Sequence, residues 1–324
     1  MPSASVLIAT YQRPEVLERC LRALARQTLL PVEVIIAWQK DDTATLAAVD
    51  QLAQALPLNL VTVHTPEPGV VAAENAALAR AVGDVVLLID DDAIAEPDWL
   101  ERHLAHYRDP DVGAVGGPAA CFSFEGAPNP LCDAQPHGRL TWYGRFIGNM
   151  HDQPLHFRNH PTIDVDHLVG YNMSLRRAAF SRFDEDLKPY WQLFEADACL
   201  QVKSRGYRVV FDPSIVVEHW AAYRTSVYTP GREGDLVLKV ANAAHNHAYV
   251  LSKHSGFPLR WLRLLYLFGV GTTTAPGPLL LPLTIRRFGR PRRELAAALM
   301  TWRAHKAGWR SGRPERRSRS APRR

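Results

Sequence analysis

The sequence predicts an α/β protein with a mostly parallel central sheet, and three features carry that expectation. An apolar run without alternation at 85–89 reads as a strand covered on both faces, and shorter strand-like stretches precede it at 5–10 and 32–37. Stretches with helical spacing, of about ten to fifteen residues, lie between them and suit right-handed crossovers. The run V-V-L-L-I at 85–89 ends in three consecutive acids, Asp90, Asp91 and Asp92. In open α/β sheets, ligands bind outside the carboxyl ends of the strands, where these acids would sit.

The elements follow in order. Residues 5–10 (S-V-L-I-A-T) form the first strand, and Tyr11-Gln12-Arg13-Pro14 a turn. The stretch 15–27 places Leu17, Leu21 and Leu24 on one helical face. Pro31 opens a second strand at 32–37, a helix covers 43–56, and a third strand runs 58–64. A Pro/Gly loop at 65–69 leads to a helix at 71–82, with Gly83 as its expected C-cap. No G-x-G-x-x-G follows the first strand, which disfavours a dinucleotide-binding enzyme.

Three adjacent carboxylates repel one another, and buried ones need a compensating cation. A divalent metal with oxygen ligands, Mg²⁺ or Mn²⁺, supplies it, and such ions are often shared with substrate phosphates. The plainer alternative is a solvated acidic turn leading into a helix that starts near Pro97 and Asp98.

Composition is that of an ordinary globular protein, and 324 residues can hold one large α/β domain with an appendage. The net charge of +5 is concentrated after Arg286, where Glu294 and Glu315 stand among many arginines. Basicity so local argues for a segment that touches something anionic, and against a nucleic-acid-binding domain. The cysteines, Cys20, Cys121, Cys132 and Cys199, are scattered without a C-x-x-C pair. Residues 5–9 already read as core with no signal peptide before them, so reduced thiols and a cytoplasmic location are expected.

Taken in order, a longer set of motifs resembles the family 2 glycosyltransferases, inverting enzymes of the nucleotide-diphospho-sugar (GT-A) fold. It comprises S-V-L-I-A-T-Y-Q-R-P at 5–14, Gln27-Thr28, P-V-E-V-I-I at 31–36, P-G-V-V-A-A-E-N-A-A-L at 68–78, Gly83-Asp84 and the D-D-D run. Pro97-Asp98-Trp99-Leu100, V-G-Y-N-M-S-L-R-R at 169–177, F-D-E at 183–185, E-A-D-A-C-L-Q-V-K-S-R-G-Y at 195–207 and His219 complete it. The resemblance implies a catalytic domain over 1–225, a nucleotide-diphospho-sugar donor and a divalent metal. It gives Asp90 and Asp92 the metal and ribose roles, with Asp92 the direct metal ligand and Asp91 an alternative partner for the ribose. Thr10, Tyr11 and Arg13 would hold the nucleotide, with Tyr11 offering an aromatic face.

Family members usually carry an aspartate just after the second strand that reads the base; here Ala37-Trp38-Gln39-Lys40 occupies that place. Either Asp41 or Asp42 substitutes, or the base is read differently, which leaves GDP- and dTDP-sugars open beside UDP-sugars. A basic residue is also common where Glu74 stands. Asn75 either caps its loop or touches the donor. Asn172, in a tight backbone approach, is a candidate contact to the donor sugar.

Inversion needs a single displacement and therefore one general base for the acceptor hydroxyl. Aligning Asp197, Leu200 and Gly206 with the family's acidic helix puts Glu195 at the base position and leaves Asp197 in reserve. The competing reading makes both acids favourable charges at a helix N-terminus. His219, after a short strand at 214–217, would be a second metal ligand or touch the diphosphate. His245, His247 and His254 do not have metal-motif spacing.

A helical extension is expected over 226–310 and a disordered basic tail over 311–324. The apolar runs 261–271 and 278–285 fall short of the ~20 residues that span a bilayer. Interfacial attachment to an anionic membrane at its inner face is therefore expected, with a helical subdomain packed on the core as the alternative. The whole reads as a transferase acting on a glycan or lipid-linked acceptor. Its rivals are a catalytically inactive relative serving as a binding module, and a nucleotidyltransferase, which would need a Gly-rich, lysine-bearing loop after the first strand.

Overall fold

Seven residues from Ala4 to Thr10 form β1, almost wholly buried, and Pro14–Leu24 forms α1 with Pro14 in its first turn, where its missing N–H costs nothing. The chain continues through β2 (Glu33–Gln39), α2 (Thr43–Ala55), β3 (Leu60–Thr65), α3 (Val70–Arg80) and β4 (Val85–Leu88). Then come β5 (Ala93–Ala95), α4 (Trp99–His106), β6 (Val112–Gly116), β7 (Ala119–Ser123), β8 (Arg139–Leu140), β9 (Phe146–Ile147) and β10 (Ile163–Asp164). The remainder is β11 (Met173–Arg176), α5 (Phe194–Ser204), β12 (Arg208–Phe211), β13 (Val217–Ala221), α6 (Leu236–His254), α7 (Leu259–Gly269), α8 (Leu281–Phe288) and α9 (Pro291–Ser311). This computed structural model describes residues 1–66, 69–123, 138–147, 158–188, 193–221, 236–271, 276–288 and 291–312. The expected basic tail after 312 lies outside them.

Two compact units divide the chain. The first holds Met1–Arg139, Gly148–Phe183 and Ala198–Tyr228; the second holds Leu140–Ile147, Asp184–Asp197 and Thr229–Arg324. In the first, eight strands form one sheet in the order β10-β12-β6-β11-β4-β1-β2-β3. Pairings β4-β1-β2-β3 and β6-β12 are parallel, while β11 runs antiparallel between β4 and β6. A second sheet, β5-β13-β7, lies beside the D-D-D turn, with β13 antiparallel to β5 and parallel to β7. In the second unit, α6 packs against α9, and the end of α7 is joined to the segment before α8 by Gly277 N–H to Val270 O, 2.7 Å, and Leu279 N–H to Gly269 O, 3.0 Å.

The expected strands and helices are present, with ends displaced by at most four residues. Gly83 has a different role from the expected cap, since α3 ends at Arg80 and Ala81 occupies its C-cap. A Cβ at Gly83 would meet the backbone nitrogen of Ser5 at 2.5 Å. That close approach lets Gly83 N–H and Val82 N–H reach Ser5 Oγ and Glu33 Oε1, at 2.9 and 2.7 Å. Gly206 does follow α5 with φ +88°, the left-handed geometry that a side chain resists.

Asn172 lies in the short turn Gly170–Asn172 that feeds β11, and it is fully buried. Its amide donates to Pro118 O and Ile215 O at 2.9 and 2.8 Å. Its Oδ1 accepts from Trp99 Nε1–H at 2.8 Å and His103 Nε2–H at 3.2 Å. Burial pushes His103 down to about 4, so its imidazole is neutral, and Nε2 must carry the proton because Asn172 Oδ1 can only accept. Both amide hydrogens and both lone pairs are used. The expected contact to a donor sugar is therefore corrected: Asn172 is an internal cross-link between the sheet, α4 and the segment before β13.

Asn172→Ala would strip partners from three or more buried polar groups, each costing about 1–3 kcal/mol. Urea unfolding should show a loss of at least about 3 kcal/mol, with nucleotide affinity unchanged in the folded protein.

Candidate active site

At the carboxyl ends of β1 and β4 the D-D-D turn splits into acids with different environments. Asp91 points inward and is fully buried. Its Oδ2 accepts from Thr10 Oγ1–H at 2.7 Å, and its Oδ1 is paired with the Arg13 guanidinium. Burial pushes the Asp91 carboxyl up to about 7, against the opposing pull of Arg13 and the Thr10 hydroxyl. Arg13 also reaches Asp92 Oδ2 at 3.3 Å, and its own pKa is raised because the three aspartates outweigh its burial.

Asp92 is nearly buried, whereas the Asp90 side chain is 48% exposed. His219 Nε2 lies 3.1 Å from Asp92 Oδ1 and 3.4 Å from Asp90 Oδ2. The histidine is inside β13 instead of after it, because the strand spans Val217–Ala221 and not 214–217. Pairing with β5 and a bond from Trp220 N–H to Asp92 O, 2.9 Å, fasten this strand to the acidic turn. Tyr171 stacks on the His219 ring with centroids 4.9 Å apart and fixes its plane. One ligand atom from each of Asp90, Asp92 and His219 falls within 4.8 Å of the others. Two carboxylate oxygens and an imidazole nitrogen converging from two sheets are a donor set that a divalent ion fits.

The turn after β1 is held by the backbone of its neighbours. Gln12 takes φ 54°, and its N–H donates to Asp42 Oδ2. Asp42 Oδ1 accepts from Thr45 N–H at 3.2 Å, which makes Asp42 the N-cap of α2. Both of its oxygens are thus committed to backbone donors, so the expectation that Asp42 reads a base is corrected; Asp41 is exposed beside it. Gln39 Nε2 donates to Thr10 O at 3.1 Å and Gln39 Oε1 accepts from Gly69 N–H at 2.7 Å, closing the ends of β1 and β2 around the turn. Thr10 lies behind Asp91 and is buried, while Tyr11 is half-buried at the surface of the turn. Trp38 and His64, at the ends of β2 and β3, pack ring on ring with centroids 4.2 Å apart. Asn75 exchanges two bonds with the Phe183 backbone, Nδ2–H to O at 3.0 Å and N–H to Oδ1 at 2.8 Å, so it ties a loop.

In the second unit, Glu195 and Asp197 open α5. Glu195 is half-buried and Asp197 fully buried. Asp197 Oδ1 accepts from His254 Nε2–H at 2.7 Å, and Oδ2 is paired with Lys253 Nζ at 2.9 Å. Burial opposes the Asp197 carboxylate, but His254 and Lys253 prevail and hold its pKa below the ordinary value. A carboxylate so committed is a poor proton acceptor, which removes the reason for keeping Asp197 in reserve as a base.

Against known proteins, the model of the family described as "Glycosyl transferase family 2" matches residues 5–183, more than half of the chain. The chain belongs to this family. Among relatives of this family 2 protein, the succinoglycan biosynthesis protein ExoM of Rhizobium meliloti is 31% identical over 141 residues, 43% of this chain and 45% of ExoM. A glucosyl-dolichyl phosphate glucuronosyltransferase of Haloferax volcanii is 24% identical over 66% of this chain and 68% of its own. The chain thus spans under half the length of ExoM. A solved mannosyltransferase from Pyrobaculum calidifontis, in complex with GDP-Man and Mn²⁺, superposes with a TM-score of 0.53 at 19% identity, over 95% of this chain and 86% of that one. That likeness shows the GT-A fold expected from the sequence. The family match ends before α5 and β13, so it does not reach Glu195 or His219.

Sequence reasoning missed Gln39 and Tyr171. Neither had a local signal, since each acts on a residue far along the chain. Arg13→Ala would leave Asp91 buried without its cation, a change that typically costs about 3–5 kcal/mol. Thermal unfolding should show a large drop, whereas Arg13→Lys should recover part of it.

Proposed function

We propose that this family 2 chain is an inverting, metal-dependent glycosyltransferase that moves a sugar from a nucleotide-diphospho-sugar to a glycan or lipid-linked acceptor. The observation that carries the reading is the convergence of Asp90, Asp92 and His219 at the carboxyl edge of the sheet. Asp92 is the direct ligand for Mg²⁺ or Mn²⁺, His219 the second, and Asp90 stands on the open side where the donor enters. A divalent ion held by these residues would supply charge neutralisation at the diphosphate leaving group. The Pyrobaculum enzyme was solved with GDP-Man and Mn²⁺, and a donor of that class is proposed here. Arg13 orients Asp91 and Asp92, and Tyr11 and Asp41 border the nucleotide.

Glu195 is the general base in this reading. A carboxylate needs only to accept the acceptor's hydroxyl proton as the new glycosidic bond forms. Glu195 meets that need because it stays half-buried at the start of α5 while its neighbour Asp197 is held by Lys253 and His254.

Attachment to an anionic membrane is part of the same proposal. No helix among the described residues is long and apolar enough to cross a membrane. Yet α7, which buries Leu267, also presents apolar side chains to solvent. Arg263 is buried and donates to Ser255 Oγ at 2.7 Å, while Trp261, Leu262 and Leu265 are 58%, 45% and 69% exposed. Phe257, just before it, is 86% exposed, and Leu279 and Leu283 continue the apolar surface near α8. From Gly256 to Gly312 there are ten arginines and lysines and one acid, Glu294. Exposed Trp and Leu set in so basic a segment suit the boundary between acyl chains and anionic headgroups.

Asp92→Ala should abolish metal-dependent nucleotide binding while leaving the fold intact. Calorimetry with a nucleoside diphosphate and Mn²⁺ tests this, and unchanged affinity would sink the metal assignment. Glu195→Gln should lower turnover by about 10²- to 10⁴-fold with donor binding and melting temperature held; a fall in melting temperature with full turnover would make it a helix cap only. Trp261→Glu with Leu265→Glu removes two insertion points worth about 1.5–3 kcal/mol each. Co-sedimentation with vesicles rich in anionic lipid should weaken at least about tenfold, and equal binding by variant and parent refutes this docking face.

A further inference from the structure

We infer that Lys253 and His254 are positioning residues for Glu195, and that they act through Asp197. The inference rests on the reading of Glu195 as general base. Residues two apart on a helix project about 200° apart. Asp197 therefore turns to α6, where Lys253 and His254 take both of its oxygens, while Glu195 faces the other way and is half-buried.

The clamp is built from buried groups. The side chains of Lys253 and His254 are 10% and 5% exposed, and Asp197 is at 0%. Lys253 Nζ also meets Asp184 Oδ2 at 2.7 Å, and Tyr249 O–H donates to that same oxygen at 2.8 Å. Tyr249, Lys253 and His254 share one side of α6, so one helix supplies every partner of the pair Asp184 and Asp197 named here. A buried carboxylate paired with a lysine and hydrogen-bonded by an imidazole is costly to rearrange, because moving it would leave buried charged and polar groups without partners.

What the clamp restrains is the first turn of α5. Asp197 N–H donates to Leu193 O at 2.8 Å. Leu193 stands at φ 87°, a left-handed conformation that a branched side chain resists. Such a conformation persists only where its surroundings over-determine it. Between Leu193 and Asp197 lies Glu195, whose backbone has no freedom while both ends are held. Loss of the clamp lets the turn relax and moves the Glu195 carboxylate, and a displacement of about 1 Å at a reacting group can lower a rate by about 10²-fold.

The experiment follows nucleoside diphosphate release by the full chain, with Mn²⁺ and the best-hydrolysed member of a panel of UDP-, GDP- and dTDP-sugars. Lys253→Met and His254→Ala should each lower kcat by about 10- to 100-fold, with donor KM near the parent's. Lys253→Arg and His254→Gln retain a donor toward Asp197 and should recover most of that loss. In a Glu195→Gln background, Lys253→Met and His254→Ala should have almost no further effect on residual turnover. Equal losses in both backgrounds, equal losses from the conservative pair, or an unchanged kcat would each overturn the inference. If Lys253→Met and His254→Ala do not fold, Lys253→Gln and His254→Asn take their place: a kcat lower by about 10- to 100-fold in the parent with almost no further loss beside Glu195→Gln supports the inference, and any other result overturns it. Full turnover by Glu195→Gln alone would instead defeat the base assignment, a result that none of the α6 variants can mimic.

Discussion

The burial of Asp91 against Arg13 and Thr10 is the interaction on which the candidate site depends. A carboxylate with no solvent contact at a strand end requires a cation and a hydroxyl, and both come from the turn after β1. Once Asp91 points inward, Asp90 and Asp92 are directed elsewhere, toward His219. The same guanidinium also touches Asp92, so the two sheets meet around a single arginine. Gln39 and Asp42 then fix the path of the turn from the side of β2 and α2.

A shared design links this arrangement to the start of α5. In each place one carboxylate is fully buried and held by basic side chains, and a near neighbour in sequence stays accessible. Asp91 stands beside Asp90, whose side chain is exposed, and Asp197 stands two residues from the half-buried Glu195. The buried member gives up any chemistry of its own, because its oxygens are committed and its desolvation opposes movement. The accessible member gains a defined direction. This division of labour explains why acid-rich motifs contain more carboxylates than a reaction needs.

Much of the framework was legible in the sequence because strands buried on both faces are written as unbroken apolar runs. Val85–Leu88 and Ala4–Thr10 are such runs, and Leu17, Leu21 and Leu24 declare the buried face of α1. The acidic turn was legible as a cluster of carboxylates, and Asp90, Asp92 and His219 do come close enough together to hold a metal ion. Which acid turns inward was not, as it depends on Arg13 lying across the turn, 78 residues away in sequence from Asp91. Asn172 and Asp197 were misread for the same reason, their partners being remote: Trp99 and Ile215 for one, Lys253 and His254 for the other. Asp42 carried a readable signal that was passed over, for an aspartate directly before a helix start is a common N-cap.

The reversed strand β11 has a consequence for how such a scaffold diversifies. Because it runs antiparallel, it begins at the carboxyl edge, with Met173 opposite Leu88 on one side and Gly116 on the other. The chain thus departs along β7 and re-enters through the Gly170–Asn172 turn, and both points are pinned at the same edge as the acids. The segment between them is anchored in turn, since β10 pairs with β12 at the far edge of the large sheet. A scaffold of this kind can therefore vary along that segment only where the register of β10 against β12 is kept.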